Sequence, residues 1–186
     1  MTRYLVLLRG INVGGRNKVS MAALRELLES HGHTKVSTYI ASGNVILSSD
    51  QTATAIKREL EEALPKTFKL DSALVAVLVL TRAQLRAVVT KRPKGFGDKQ
   101  DTYNSDAVFL IGIDAATAMK VFDPRPGVDE VWPGNGVIYS QRLSAQRTKS
   151  RLGKIVGTPA YKSMTIRSWQ TTMALLERME APEAEA

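Results

Sequence analysis

The residues best suited to do chemistry lie in a short basic segment that is rich in glycine. It carries three cations, Arg9, Arg16 and Lys18, together with the backbone N–H groups of Gly14 and Gly15. Cationic side chains and unpaired backbone N–H groups are the donors with which proteins bind phosphate and other anions. We therefore predict an anion site here. The alternative is a glycine-rich turn that only connects a strand to a helix.

A second polar segment, Ser42-Gly43-Asn44, is predicted to complete the site. Two β-rich runs flank it, Val36 to Ile40 and Val45 to Leu47, and glycine permits the positive φ of a tight hairpin turn. In a βαββαβ unit, the loop after the first strand and the hairpin between the second and third lie at one edge. The predicted ligand-binding residues are Arg9, Asn12, Gly14, Gly15, Arg16, Asn17, Lys18, Ser42, Gly43 and Asn44.

The elements that must position these residues follow the order β-α-β-β-α-β. A buried strand is predicted at Tyr4 to Leu8, and a helix begins after the N-cap Ser20, whose positive dipole end would favour an anion. After the hairpin, Asp50 is predicted to cap a helix that Pro65 ends. The apolar run from Leu74 to Leu80 is the predicted fourth strand.

A linking helix and a polar stretch separate these elements from a second set. The pair Thr81 and Gln84 predicts a capping box, and Lys91 to Tyr103 is the predicted linker. The later elements are strands at Ala107 to Ile111, Val128 to Trp132, Val137 to Tyr139 and Met164 to Ile166, helices near Ala115 to Val121 and from Ser144 to Val156, and a closing helix capped by Ser168.

The two halves share short sequence matches in the same order. Leu7 to Asn12 matches Phe109 to Asp114, and Ser42 to Ile46 is similar to Pro133 to Ile138. Ordered self-similarity indicates duplicated units. We predict an α+β fold of two tandem ferredoxin-like βαββαβ units with mainly antiparallel sheets and an additional C-terminal helix. The predicted boundaries are 1–80 and 105–179 for the units, 81–104 for the linking helix and linker, and 180–186 for a disordered tail.

A second basic patch is predicted in the later half. Arg147, Arg151 and Lys154 fall at i, i+4 and i+7 of the predicted helix, and Arg167 could extend the same surface. The alternative is a solvated outer helix face. Trp169 begins an apolar stripe and is predicted to be a core residue.

Several catalytic and cofactor sites are not supported by the sequence. Gly10 to Gly15 has P-loop spacing, but Arg16 and Asn17 stand where lysine and a hydroxyl residue belong. The predicted third strand lacks the aromatic residues of an RNA-recognition motif. His31 and His33 are interpreted as a solvent-exposed helix terminus, with no nearby carboxylates in metal-ligand spacing. We predict no metal and no cofactor, and we assign no catalytic residue.

The composition limits the kinds of partner. The chain has 186 residues, no cysteine, and 26 Lys and Arg against 18 Asp and Glu, a formal charge of +8. Such a balance favours anionic partners, either a phosphate-bearing small molecule or nucleic acid. An enzyme acting on a phosphorylated small molecule and a protein-interaction module are the alternatives. No apolar run predicts a membrane span or signal peptide, so a cytoplasmic location is expected, while the oligomeric state stays open.

Three motifs together resemble a known family. They are Arg9 to Asn17, Thr38 to Asn44 (Thr-Tyr-Ile-Ala-Ser-Gly-Asn) and Arg167 to Thr171 (Arg-Ser-Trp-Gln-Thr). The chain resembles an uncharacterised, mainly bacterial family, domain of unknown function 1697, from Tyr4 to Met179. This resemblance implies an α+β fold of ferredoxin-like character but no activity. Ser168 and Gln170 replace two asparagines of the family motif, so a ligand contact made by those asparagines would be lost here.

Overall fold

The computed structural model of the chain describes residues 1–71 and 75–182. The chain divides into two compact units. Of the described residues, those within Met1–Leu85 and those from Leu175 to 182 form the first unit, and Arg86–Ala174 form the second. Within the described residues, no helix is both long enough and apolar enough to cross a membrane.

The first unit contains one antiparallel sheet with two helices packed on its apolar face. Its strands have the order β2-β3-β1-β4. The central strand β1 supplies Tyr4, Val6 and Leu8 to the core, as expected where alternate residues of a strand face one side. The elements are β1 (Thr2–Arg9), α1 (Met21–Ser30), β2 (Thr34–Tyr39), β3 (Asn44–Ser49), α2 (Ala53–Phe68) and β4 (Ala76–Thr81).

Two local predictions for the second helix are wrong. Thr52, not Asp50, is the N-cap of α2, because its hydroxyl accepts from the Ala55 N–H at 3.2 Å. Pro65 also does not end the helix, which continues to Phe68. Phe68 packs against the core, and this contact offsets the loss of the backbone hydrogen bond that proline cannot donate. Of the predicted fourth strand, Leu74 lies outside the described residues.

Three other predicted helix starts are confirmed. Ser20 accepts from the Ala23 N–H at the start of α1. Thr81 and Gln84 form the reciprocal capping box before helix α3 (Arg82–Thr90), with N···O distances of 2.8 and 3.2 Å. Ser168 accepts from the Thr171 N–H at 3.1 Å before the closing helix.

The second unit contains a second antiparallel sheet, of order β6-β7-β5-β8. One face of this sheet carries a core that includes Val108, Leu110 and Ile138. Its elements are β5 (Tyr103–Leu110), α4 (Ala115–Met119), β6 (Asp129–Gly134), β7 (Val137–Leu143) and β8 (Met164–Ser168), and the helix α5 (Trp169–Glu180) closes the chain. The structure is thus an α+β fold with two four-stranded antiparallel sheets and a C-terminal helix.

The α-helix predicted from Ser144 to Val156 is wrong. The segment instead forms short 3-10 turns at Ser144–Lys149, Leu152–Gly157 and Pro159–Ser163. One cause is tertiary, because the backbone N–H of Arg151 donates to the Asp129 carboxylate at 2.8 Å instead of to a carbonyl one turn earlier. The other is local, since glycine and β-branched residues disfavour a helix there.

The predicted linker contains a core residue. Phe96 is buried and makes edge-to-face contacts with Trp132, Tyr139 and Trp169, at centroid distances of 6.0, 5.2 and 5.0 Å. Trp169 is therefore a core residue, as predicted. Gly97 is required beside it, because an added Cβ would lie 2.3 Å from the indole. Segment 91–103 thus packs within the second unit, and the domain boundaries stay a prediction.

Candidate functional site

The loop after β1 folds back on itself as a small hairpin. The Asn12 N–H donates to the Asn17 carbonyl at 2.9 Å, and the Arg16 N–H donates to the Val13 carbonyl at 3.0 Å. Gly14 and Gly15 form the tip, with φ of 58° and 75°. Two consecutive residues of positive φ are typical of the tightest hairpin turns and favour glycine. The tip therefore has a defined conformation.

Asn12 attaches this loop to its surroundings. Its side-chain amide donates to the Val19 and Ala41 carbonyls, both at 2.9 Å, and its side-chain carbonyl accepts from the Val19 N–H at 2.8 Å. One side chain therefore connects the loop, the segment that leads into α1, and the turn between β2 and β3. Its hydrogen-bonding groups are used within the protein.

The other two asparagines of the predicted site also make structural hydrogen bonds. Asn17 donates to the Gly10 carbonyl at 2.8 Å and accepts from the Asp71 N–H at 3.0 Å. Asn44 is fully buried and donates to the Tyr39 carbonyl and to the Ser42 hydroxyl. Both side chains thus hold backbone segments in place.

Gly43 brings the turn between β2 and β3 against the end of β1. The Leu8 N–H donates to the Gly43 carbonyl at 2.8 Å, and an added Cβ on Gly43 would lie 2.8 Å from the Leu8 Cβ. The structure therefore brings the two predicted segments to one edge of the first sheet, as expected for the βαββαβ order.

The cations of this edge differ in their surroundings. Arg16 and Lys18 are exposed, and no carboxylate of the described residues lies within ion-pair distance of either. Arg9 is half-buried at the end of β1, where it pairs in register with Ala76 of β4. Among the predicted binding residues at this edge, the exposed ones are therefore the hairpin tip Gly14-Gly15, the cations Arg16 and Lys18, and Ser42. We call residues 13–18 the basic hairpin.

The second basic patch does not lie on one helix face, because the helix is absent. Arg151 and Lys154 both contact the Asp123 carboxylate, each at 3.3 Å, and these contacts lower the pKa of Asp123. Arg147 is exposed in the first 3-10 turn. Arg167 is buried, donates to the Thr165 hydroxyl at 2.9 Å, and burial lowers its pKa to about 10. The four residues therefore differ in exposure and in partners.

The interpretation of the two histidines as a solvent-exposed helix terminus is wrong for His33, although His31 is exposed. His33 is buried, and its Nε2 lies 2.9 Å from Glu59 Oε1, while His31 Nδ1 lies 3.2 Å from the same oxygen. Gln51 donates to the other Glu59 oxygen at 2.9 Å. Because the carboxylate comes from α2, 26 residues beyond His33, no local spacing could have indicated it.

The charge state of Glu59 follows from these contacts. Burial opposes its ionisation, but the hydrogen bonds from Gln51 and His33 and the attraction of both histidines outweigh that effect, so the pKa of Glu59 lies below its ordinary value. Across residues 1–71 and 75–182, no three histidine or acidic side chains are arranged to hold a metal ion.

Comparison with known proteins agrees with this description of the fold. The structure is similar to that of the conserved bacterial protein SP0830 from Streptococcus pneumoniae, with a TM-score of 0.81 and 26% sequence identity over 96% of this chain and 99% of the other. No curated protein matches the chain. The model of a protein family of unknown function, DUF1697, matches residues 1–139, which include the basic hairpin and the 42–44 turn. The chain therefore belongs to the DUF1697 family.

Proposed function

We propose that the chain binds a phosphate-bearing ligand through the basic hairpin. The observation that carries this proposal is the pairing of two exposed cations, Arg16 and Lys18, with the exposed tip Gly14-Gly15. In the described part of the chain, neither cation has a carboxylate partner, and the N–H groups of the two glycines make no hydrogen bond. Positive charge beside unpaired N–H groups favours an oxyanion.

The asparagines have an indirect role in this proposal. Asn12 and Asn17 hold the two ends of the hairpin through hydrogen bonds, so the tip is already ordered before a ligand arrives. A binding loop that is ordered in advance loses less conformational entropy on binding. The ligand-binding residues proposed here are therefore Gly14, Gly15, Arg16 and Lys18, with Arg9 and Ser42 at the margin.

The exposure of the tip favours a phosphate that belongs to a larger molecule. Nucleic-acid backbones present phosphates to protruding basic loops, and such contacts position a protein without reading sequence. The formal charge of +8 adds long-range attraction to the same partner. A small phosphorylated molecule offers the same group, so both sources are tested together.

The experiment measures fluorescence anisotropy of a labelled single-stranded oligonucleotide, with inorganic phosphate and polyphosphate as competitors. We expect the Arg16→Glu/Lys18→Glu variant to lose at least tenfold in affinity. Its slope of log K against log salt should fall by about 1.4, since each single-strand phosphate contact contributes about 0.7. Competition by inorganic phosphate would identify the phosphate group itself as the ligand, whereas competition by polyphosphate alone would identify a polyanion.

A matched control separates local binding from bulk charge. Lys94→Glu/Lys99→Glu changes the net charge equally at two exposed lysines of the second unit. We expect this control to retain most of the affinity. Equal losses in both double variants, or unchanged binding by the hairpin variant, would refute the proposal.

A second candidate function is protein interaction at the same edge. Val13 is 67% exposed and Ile40 is 54% exposed. The hydrogen bond from Asn12 to the Ala41 carbonyl connects the loop that contains Val13 to the turn that contains Ile40. The variant Val13→Ser/Ile40→Ser tests it by light scattering over a range of concentrations. Self-association that this variant abolishes and salt does not weaken would favour the protein-interaction reading.

The finer architecture is also a proposal. We propose that the two sheets are duplicated ferredoxin-like βαββαβ units, with the predicted boundaries 1–80 and 105–179. The common order of the four strands in each sheet supports it. Further support comes from two equivalent hydrogen bonds, Leu8 N–H to the Gly43 carbonyl and Leu110 N–H to the Gly136 carbonyl, at 2.8 and 2.9 Å.

A further inference from the structure

A cleft lies in the second unit between the sheet and the 3-10 turn Leu152–Gly157. Its volume is about 210 Å³. This is below the range of about 300–1,000 Å³ typical of pockets for drug-sized ligands, so only a small molecule fits. The lining residues used here are Asp106, Ser140 and Arg142 of the sheet, and Leu152, Val156 and Ile166 around them.

The floor of the cleft carries one negative and one positive side chain. The Arg142 Nη1 lies 3.4 Å from the Asp106 Oδ2, and the two side chains are 28% and 23% exposed. Ser140 pairs in register with Asp106, so its hydroxyl belongs to the same sheet face. At 3.4 Å the ion pair is longer than a good charge-assisted hydrogen bond, which leaves both groups able to gain closer partners.

The walls of the cleft are aliphatic. Leu152 and Ile166 cover two sides, and Val156 stands at the mouth with 57% of its surface exposed. Covering the exposed Val156 side chain with an apolar group is favourable, because it removes apolar surface from water.

The charges around Arg142 limit the choice of ligand. Asp129 pairs in register with Arg142, and the Asp129 Oδ2 accepts from the backbone N–H groups of Arg125 and Arg151. Arg142 therefore faces a carboxylate on each neighbouring strand, which disfavours a multiply charged anion such as phosphate. A purely apolar ligand is disfavoured as well, because it would desolvate Asp106 and Arg142 without bonding to either.

We propose that this cleft binds a free α-amino acid with an aliphatic side chain. The ammonium group would bind Asp106, the carboxylate would bind Arg142, and the aliphatic side chain would cover Val156 and Ile166. A zwitterion has no net charge and presents the two opposite charges from one carbon atom, as the adjacent ion pair requires. Burial raises the pKa of Asp106 although Arg142 opposes this, and an ammonium group beside Asp106 would add to the attraction that favours the ionised carboxylate.

Ligand titration of the full chain tests this site by calorimetry and by ligand-observed NMR. The probes are L-leucine, 3-methylbutylamine, which lacks the carboxylate, and 4-methylpentanoate, which lacks the amine. We expect L-leucine to bind at least tenfold more tightly than either analogue. Binding of an analogue as tight as that of L-leucine, or no binding of L-leucine, would overturn the proposal.

Two variants locate the binding. Asp106→Asn should weaken L-leucine binding at least tenfold. Val156→Asp should do the same by placing a carboxylate at the mouth, and because Val156 is exposed, this variant is expected to fold even if the first does not. Met173→Asp, at another exposed apolar residue of the second unit that does not line the cleft, is the control and should bind normally. Normal binding by Val156→Asp, or an equal loss in the control, would place the ligand elsewhere.

Discussion

In both units the end of the central strand lies against the turn of the next hairpin, but the loop that follows this strand is longer in the first unit. After Gly10 the chain makes the excursion Ile11–Val19 before α1, whereas after Gly112 it enters α4 at Ala115. In both units the end of the central strand bonds to the carbonyl of a glycine in the next hairpin, Gly43 in the first and Gly136 in the second. The longer loop of the first unit is therefore accommodated without loss of this hydrogen bond between strand and hairpin.

One residue pair accounts for much of this difference. Asn12 and Asp114 occupy matching positions two residues after the glycine. Asparagine both donates and accepts, so Asn12 bonds to the N–H and the carbonyl of Val19 and closes the loop. Aspartate only accepts, and Asp114 caps α4 by accepting from the Thr117 N–H. The comparison indicates that a side-chain donor is what allows the longer loop.

The largest expected effect concerns the two hairpin glycines. Both have positive φ, 75° at Gly43 and 71° at Gly136, but only Gly43 has atoms within contact of an added Cβ. Gly43→Ala should lower the free energy of unfolding by about 3 kcal/mol, from backbone strain and overpacking against Leu8. Gly136→Ala should cost about 1 kcal/mol, from the backbone alone. Urea unfolding followed by far-UV circular dichroism measures both, and equal costs would contradict the close approach at Gly43.

Exchanging the two matched polar residues tests the loop closure itself. Asn12→Asp removes two donated hydrogen bonds and sets a carboxylate against the Val19 and Ala41 carbonyls, so we expect a loss of about 2 kcal/mol. Asp114→Asn should leave stability unchanged within error, because asparagine caps helices as well as aspartate does. The same urea experiment applies. Hydrogen exchange at the Val19 N–H should accelerate in the first variant, and a stable Asn12→Asp protein with a protected Val19 would refute the role of the donor.

The smallest expected effects concern the stability of the fold at low pH, and they differ between the two units. The pKa of Glu59 is lower in the folded chain than its ordinary value of 4.5, so ionised Glu59 stabilises the fold above pH 4.5, and this stabilisation is lost as the pH falls through the folded-state pKa. Glu59→Gln should therefore flatten the decline in stability from about pH 5 downward. Thermal midpoints measured across this range, at low and high salt, provide the readout.

Asp123→Asn is the matched control in the second unit. Asp123 also has a lowered pKa, but its ion pairs with Arg151 and Lys154 lie at the surface, where water and salt weaken them. We expect a smaller change than for Glu59→Gln, and one that disappears at high salt. A salt-insensitive change at Asp123 larger than that at Glu59 would reverse this assignment.

The sequence by itself determined the features that depend on near neighbours. Strand positions followed from apolar and β-branched runs, and the turn at Ser42 to Asn44 followed from its glycine. The starts of α1, α3 and α5 followed from Ser20, the Thr81/Gln84 pair and Ser168, because a cap bonds to N–H groups two or three residues away. The α+β class and the family were predictable for the same reason, since the motifs are contiguous.

The tertiary structure decided what depends on distant partners. The Asp129 carboxylate accepts a hydrogen bond from the Arg151 N–H, which is one reason why the α-helix predicted from local spacing does not form. Glu59 reaches His33 across 26 residues, and Phe96 enters an aromatic core from a segment that is locally polar. The use of the Asn12 side chain to close a loop is of the same kind. A hydrogen-bonding or apolar side chain reveals its capacity in the sequence, but only the fold determines which partner satisfies it.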